Sequence, residues 1–464
     1  MTFAMKPFAR RSAFAFSRSA FAFSRSAFAF SMIVALAGGA LAETKVLQNF
    51  NLIDGTGKPV VPNMTMIVVD GKIQSIGPNL RTRVPSGADV IDLTGKFVMP
   101  GLINVHGHVG FTKDLDQGPK YYTRANIEEN LRTYAAYGVT TVVSLGTDLE
   151  LIYSVRNAQR GTRPAMARVY TAGRGFVMRG ANPPPIDVRL EVSTSTEVQA
   201  KMAELAKNKP DFVKFWMDDD FGRAKTITPE LTGALIASAR QRRLRVAAHI
   251  VSLKNAKIVV EQGVYALAHS VRDEPVDDAL LTSMKQRGVW LLPTITRESA
   301  QFMYADKPAM MNDAFLTQSL SKEILDTLRN PAYAARIKND PEHSRNTGMM
   351  DLAERNLRRS LEAGIKIALG TDSGAPGRFP GFAEHWELEM MSDAGLTASQ
   401  IITIATKNGA EFLGERNLGT LEAGKWADLL VLSRSPLEDI RNTRFIDSVY
   451  MAGNKIKSVA PGNR

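Results

Sequence analysis

Residues 101–109 read GLINVHGHV, an apolar run that ends in two histidines separated by one glycine. Side chains two apart on a strand share a face, so His106 and His108 can point together if this run is a strand. The same kind of run recurs downstream: GVTTVVSLG (138–146), ARVYTAG (167–173), DFVKFWMD (211–218), LRVAAHI (244–250), VYALAHS (264–270), GVWLLPTIT (288–296) and KIALGTDS (366–373). Such near-continuous apolar runs suit parallel strands buried on both faces. Amphipathic stretches such as PELTGALIASARQRR (229–243) and SLKNAKIVVEQG (252–263) lie between them. Eight strands alternating with helices predict an α/β fold, a (β/α)8 TIM-like barrel over residues 99–415. The connection over about 297–360 is long, and one or two extra helices are expected there as a lid.

Outward from this core, residues 43–98 and 416–464 change character. VLQNFNLIDGTG, TMIVVDGKIQSIG and LGTLEAGKWADLLVLS alternate apolar and polar residues around Gly-containing turns. The two segments are expected to combine into one small β-sandwich domain that brackets the barrel. Residues 1–42 hold Lys6, Arg10, Arg11, Arg18 and Arg25 and no acid, then an apolar run from Met32 to Ala37 and Ala40-Leu41-Ala42. This pattern reads as a cleavable export signal and predicts a periplasmic or secreted protein. RSAFAFS occurs three times in tandem within it, from Arg11, Arg18 and Arg25, and Arg10-Arg11 leaves a twin-arginine route open beside the general secretory one. The apolar run is shorter than the roughly 20 residues of a membrane-spanning helix, so no stable membrane anchor is expected.

The chain has no cysteine, which excludes disulfides, thiolate metal sites and a cysteine nucleophile. Its net charge is +11, and five of those charges lie in residues 1–42. The other cations are interspersed with acids and form no basic stripe, so nucleic acid is not an expected partner. The expected partner is a small-molecule or peptide substrate, with self-association into a homo-oligomer left open.

Four of the six histidines, His106, His108, His249 and His269, close predicted strands. In a barrel that is the face that carries chemistry. Taken alone, His249 and His269 each fit a satisfied core histidine better than a ligand, and the pair of His106 and His108 is a weak signal; their order at strand ends changes that weighting. Asp372 closes the last strand, where a carboxylate can act as a general base or cap the following helix. Lys214 lies inside an apolar strand, where an ammonium is costly unless paired or neutral. It either forms an ion pair with Asp218, Asp219 or Asp220, or stays neutral and reacts with carbon dioxide to give a carbamate. Imidazole and oxygen ligands without thiolate suit zinc, with manganese, cobalt or iron as alternatives. His343 and His385 fall on helical or loop stretches and are assigned no metal.

In this order the residues resemble the amidohydrolase superfamily. VMPGLINVHGHVG (98–110) is similar to its first-strand motif and GTDSG (370–374) to its last-strand motif. ATKNGAEFLGERNLGTLEAGKWADLLVLS (405–433) is similar to its return to the small domain. The branch it resembles groups imidazolonepropionase-related proteins with prolidase-like Xaa-Pro and Xaa-Arg/Lys dipeptidases. The resemblance implies two divalent metals, one held by His106 and His108 and the other by His249 and His269. A carboxylated Lys214 would bridge them, and Asp372 would bind metal and move the proton. Imidazolonepropionase uses one metal and no such lysine, so Lys214 argues against that activity. Trp216 and the three aspartates after it depart from the usual dipeptidase pattern.

The chemistry implied is hydrolysis of an amide or peptide bond in dipeptides or N-acyl amino acids. A lactonase or phosphotriesterase on the same centre is the alternative; a non-catalytic binding protein is disfavoured because every implied ligand is present. For substrate contacts the sequence offers Arg272, three residues after His269, as a partner for a carboxylate. Arg174 is a weaker choice, Arg179 a surface ion pair, and Trp216 an apolar wall.

Overall fold

The computed structural model describes residues 43–181 and 188–459. The expected export signal and Pro183-Pro184-Pro185 lie outside the described residues. Among those described, no helix is long and apolar enough to cross a membrane.

The chain begins with β1 (Thr44–Leu52), β2 (Val61–Val69), β3 (Lys72–Pro78), β4 (Asp89–Asp92) and β5 (Phe97–Pro100). Next come β6 (Leu102–Gly107), the short ribbon β7 (Thr112–Lys113) and β8 (Asp116–Gln117), β9 (Val139–Ser144) and β10 (Arg168–Thr171). Then follow β11 (Gly175–Met178), β12 (Arg189–Val192), β13 (Phe212–Trp216), β14 (Arg245–His249) and β15 (Ala266–Ala268). The last strands are β16 (Trp290–Leu292), β17 (Lys366–Ile367), β18 (Leu429–Leu432), β19 (Ile446–Met451) and β20 (Asn454–Ile456).

The terminal segments share one eight-stranded sheet. Its order is β20-β19-β18-β5-β1-β2-β3, with β4 beside β1. β18 runs antiparallel to β5, pairing Leu430 with Met99 across more than three hundred residues of sequence. Asp70 and Gly71 both have positive φ, 48° and 81°, which a two-residue hairpin between β2 and β3 requires. Leu47, Phe50, Met66, Val98 and Leu429 pack together in this sheet's own core. The buried ion pair of Arg168 with Asp428 (2.9 Å) ties β10 to the residue preceding β18.

Each of the eight apolar runs forms a strand: β6, β9, β10, β13, β14, β15, β16 and β17. They lie in two parallel sheets, β10-β9-β6 and β12-β11-β13-β14-β15-β16-β17. Backbone hydrogen bonds run from one sheet to the other at both ends. Val105 N donates to Leu369 O (2.8 Å) and Asp372 N to His106 O (2.7 Å), while Asp211 N donates to Thr171 O (2.8 Å). The fold is mixed α/β on parallel sheets. β11 and β12 are additions within the connection from β10 to β13.

The helices follow their capping signals. Thr228 caps Pro229–Gln241, accepting from Leu231 N with proline in the first turn. Ser252 caps Leu253–Glu261 in the same way. The long connection holds more than the one or two helices expected: Ile295–Ser299, Met303–Asp306, Ala314–Thr317, Lys322–Arg329, Pro331–Lys338 and His343–Glu362. All but the last, which runs for 20 residues, are short, cut by Pro308 and Pro331 and by the capping residues Asp313, Ser321 and Asn330, which restart the helix repeatedly.

Candidate metal centre

The predicted site residues converge. His106 and His108 stand at the end of β6 and just beyond it, His249 ends β14, and His269 follows β15. All four are buried. Ring centroids are 5.7 Å apart for His106 and His108, 4.8 Å for His106 and His269, and 4.4 Å for His249 and His269. Asp372 and Lys214, also buried, line the same cavity of about 360 Å³ with Trp216.

Two histidines and the aspartate form one tight group. Asp372 Oδ1 lies 3.1 Å from His106 Nε2 and 2.7 Å from His108 Nε2, and donor atoms of the three residues all lie within 4.8 Å of one another. Asp372 is therefore not spent on capping a helix. It has φ 58°, and His269 has φ 93°, conformations that side-chain-bearing residues seldom adopt and that cluster at functional sites. Gly374 follows with φ +86°, and a Cβ there would fall 1.8 Å from His108 O. Only a glycine lets the chain pass so close to the histidine.

Three of the four outer ring nitrogens have a defined neighbour, which orients the ring. His108 Nδ1 pairs with Thr147 Oγ1 (2.7 Å) and His269 Nδ1 with Thr294 Oγ1 (2.6 Å). His249 Nε2 donates to Asp218 Oδ2 (3.0 Å). His106 Nδ1 is buried with no hydrogen-bond partner among the described residues. Behind the group, Asn104 Nδ2 donates to Glu384 Oε1 (2.6 Å) and to Thr371 Oγ1 (2.9 Å), joining β6 to the turn after β17.

Burial sets the protonation states. It lowers the pKa of all four imidazoles, that of His249 to about 4, so they are neutral and carry free lone pairs near neutral pH. Burial pushes the Asp372 carboxyl up, but Arg378 and His106 more than offset this and hold it well below the usual range. The Lys214 amine is lowered by burial to about 7. Its Nζ faces His106 Nε2 at 3.4 Å, while Asp218 is engaged with His249 and Asp220 with Arg223. The ion pair offered as an alternative for Lys214 is thus not formed. Gly146 makes space for it: a Cβ there would sit 2.6 Å from Lys214 Cγ.

These donors fit a divalent cation. They are neutral imidazoles with one ionised carboxylate, gathered in one cavity.

Two expectations about arginines are corrected. Arg272 does not face the cavity. It is fully buried, ion-paired to Glu298 (2.9 Å) and bonded to Ile250 O (2.9 Å) and Ser270 O (3.2 Å). The turn at His269 reverses the chain and carries Arg272 behind the site. Arg174 pairs with Glu150 at 3.2 Å outside the cavity, and Arg179 pairs with Glu197 as expected. The arginines that do line the cavity are Arg189, Arg297 and Arg378, which sequence reasoning missed. Arg297 stands in the helix after β16 and Arg378 in the loop after Asp372, where no periodicity assigns a direction. His385 is a core residue, bonded to Tyr137 O (2.8 Å) and Thr443 Oγ1 (2.9 Å). His343 pairs with Asp306.

The chain is similar to known proteins over most of its length. The chain is 23% identical over 412 residues to a 5-methylthioadenosine/S-adenosylhomocysteine deaminase of Halalkalibacterium halodurans, covering 83% of this chain and 84% of that one. It is 26% identical over 396 residues to an imidazolonepropionase of Symbiobacterium thermophilum, covering 81% and 84%. Its fold is similar to that of a Xaa-Pro dipeptidase solved with bound methionine, with TM-score 0.70, 24% identity, and coverage of 89% and 99%. The profile of the Amidohydrolase family matches residues 97–456. The chain belongs to the Amidohydrolase family, a family of metal-dependent hydrolases.

Proposed function

We propose that the protein hydrolyses the carbon–nitrogen bond of small amides such as dipeptides or N-acyl amino acids. The observation that carries this reading is the convergence of four neutral buried histidines, Asp372 and Lys214 in one cavity. In this reading the eight strands close as a barrel and the terminal segments form a separate small domain. Residues 1–42 direct export to the periplasm or medium.

His106 and His108 would hold one divalent metal and His249 and His269 a second, zinc by ligand type. Bound there, the metals supply Lewis acidity at the scissile carbonyl and lower the pKa of the attacking water. The neutral Lys214 amine adds carbon dioxide, forming a nitrogen–carbon bond and releasing one proton. The carbamate gives the site a second anionic ligand. Asp372 takes the proton of the attacking water and delivers it to the leaving nitrogen as that bond breaks. Trp216 forms an apolar wall, and the buried setting keeps bulk water from the reacting atoms.

The test combines metal analysis of the purified protein with a hydrolysis screen read by mass spectrometry. The panel holds Xaa-Pro, Xaa-Arg and Xaa-hydrophobic dipeptides, N-acyl amino acids and lactones. Two bound metals with release of an amine from any amide is the expected outcome. Turnover of lactones alone would replace the reading with an esterase-type one. Amino-terminal sequencing of the exported protein checks cleavage after Ala42.

A further inference from the structure

We propose that Arg297 and Arg378 form a clamp for a carboxylate adjacent to the scissile bond. The site would then select N-acyl α-amino acids over the corresponding neutral amides. This rests on the hydrolase reading above and names its substrate class.

The argument is one of charge and position. The Asp372 carboxylate is divided: Oδ1 meets the two histidines, and Oδ2 meets the Arg378 guanidinium with Arg297 Nε at 3.7 Å. Two guanidiniums, of Arg297 and Arg378, line this end of the cavity, and Arg272 lies buried behind them, with Glu298 and Asp372 as the anionic partners of the three. Glu298 is shared by Arg272 (2.9 Å) and Arg297 (2.5 Å). Arg378 has only Asp372 as an ion-pair partner among the described residues. Of the other acids of the cavity, Asp218 accepts a hydrogen bond from His249 and Asp220 pairs with Arg223, and neither is ion-paired to Arg297 or Arg378 among the described residues.

A carboxylate that serves a metal and carries the proton of the reaction cannot also neutralise two guanidiniums. Metal loading therefore leaves a cationic surplus at Arg378 and Arg297, and a desolvated guanidinium needs an anion. An anionic substrate can supply it. Arginine suits this because its planar fork can hold a carboxylate through two parallel hydrogen bonds.

Position narrows the class further. Both side chains reach the carboxylate that handles the proton, so the anion they hold lies within a bond or two of the scissile nitrogen. An α-carboxylate on the leaving amine meets that requirement, and a remote side-chain carboxylate does not. The clamp is also built on fixed backbone. Glu387 accepts from Ile295 N (2.8 Å) and Thr296 N (2.7 Å), anchoring the first turn that carries Arg297. Gly374 N donates to Arg378 O (2.7 Å), closing the loop that carries Arg378.

The test uses the zinc-loaded full-length protein with N-acetyl-L-amino acids and their primary amides as probes. Affinity is read by calorimetry and cleavage by mass spectrometry. At least one acid should bind about tenfold to hundredfold more tightly than its amide, the range of a charge-assisted hydrogen bond. Arg378→Met and Arg297→Met should each shrink that gap to about twofold with metal content unchanged, and Arg378→Lys should restore part of it. Equal binding of acids and amides would overturn the proposal. So would a preference that survives both methionine variants, or no binding of any acid. Cleavage of amides in that case would leave the hydrolase reading intact. Selective binding of acids by a metal-loaded protein that cleaves no carbon–nitrogen bond would do the opposite, keeping the clamp and removing the hydrolase reading.

Discussion

The two halves of the site are built from similar ligands but balanced differently. His106, His108 and Asp372 come from β6, the residue just beyond it and the turn after β17, which are hydrogen-bonded neighbours, and one carboxylate oxygen faces both rings. This half carries its own negative charge. His249 and His269 come from the adjacent strands β14 and β15, and their rings are closer still. Among the described residues, neither belongs to the close group of donors that includes the Asp372 carboxylate. The acid of this half, Asp218, lies behind His249 on its outer nitrogen. In the proposed reading a cation in the first half meets an anion at once, whereas one in the second half depends on Lys214 becoming an anion.

Removing the charge of the first half should have the largest consequence. Asp372→Asn keeps the shape and an oxygen donor but cannot carry the proton. Turnover should fall by about 10²- to 10⁴-fold, the usual worth of a positioned acid–base group. Circular dichroism and metal content should stay near those of the parent protein. Full activity in this variant would remove Asp372 from the proposed mechanism. The next effect concerns the second half. Lys214→Met preserves the length of the buried stem and removes the amine, so the protein should fold at least as well. Under zinc excess its bound metal should drop from two equivalents to one, with the first half still loaded. Two equivalents in Lys214→Met would show that the halves are not unequal in this way.

Much of this contrast was legible in the sequence, for a physical reason. Parallel strands buried on both faces leave long apolar runs, and a polar residue closing such a run stands out. His106, His249, His269 and Asp372 were visible on that ground, and Lys214 because an amine inside Phe-Val-Lys-Phe-Trp is costly. Beyond the strand ends the argument loses its ruler. Arg272 was read as facing the substrate from its spacing to His269, yet the positive φ of His269 turns the chain and sends that side chain into the core. Arg378 hangs from a loop shaped by Gly374 and Gly377, both at positive φ, where spacing carries no direction. The pair of Asn104 and Glu384 joins residues 280 apart, and no local rule connects them. The short helices of the long connection were blurred because each is one turn or two, below the length at which apolar periodicity declares itself.

The supports behind the histidines sharpen the comparison at a smaller scale. His249 is held by a carboxylate and His108 by a hydroxyl. A carboxylate behind a ligating imidazole orients the ring and raises its basicity, and losing such a partner typically costs about 10- to 100-fold in metal affinity. Asp218→Asn should fall in that range, read as zinc affinity of the second half by competition with a chelator. The first half should be unaffected in the same titration.

Thr147→Val is the gentler counterpart, and its expected effect is the smallest. The hydroxyl opposite His108 Nδ1 contributes a neutral hydrogen bond, worth roughly half of a charge-assisted one. Valine keeps the volume and the β-branch, so the ring should stay in place and lose only that bond. Zinc affinity of the first half should weaken by about threefold to tenfold, the worth of one ordinary hydrogen bond. The decisive quantity is the ratio of the two losses. If Asp218→Asn costs clearly more than Thr147→Val, the second half relies on outer charge that the first half does not need, because Asp372 already supplies it from within. If the two losses are equal, the outer partners act only by orienting the rings, and the asymmetry of the site reduces to the inward carboxylate alone.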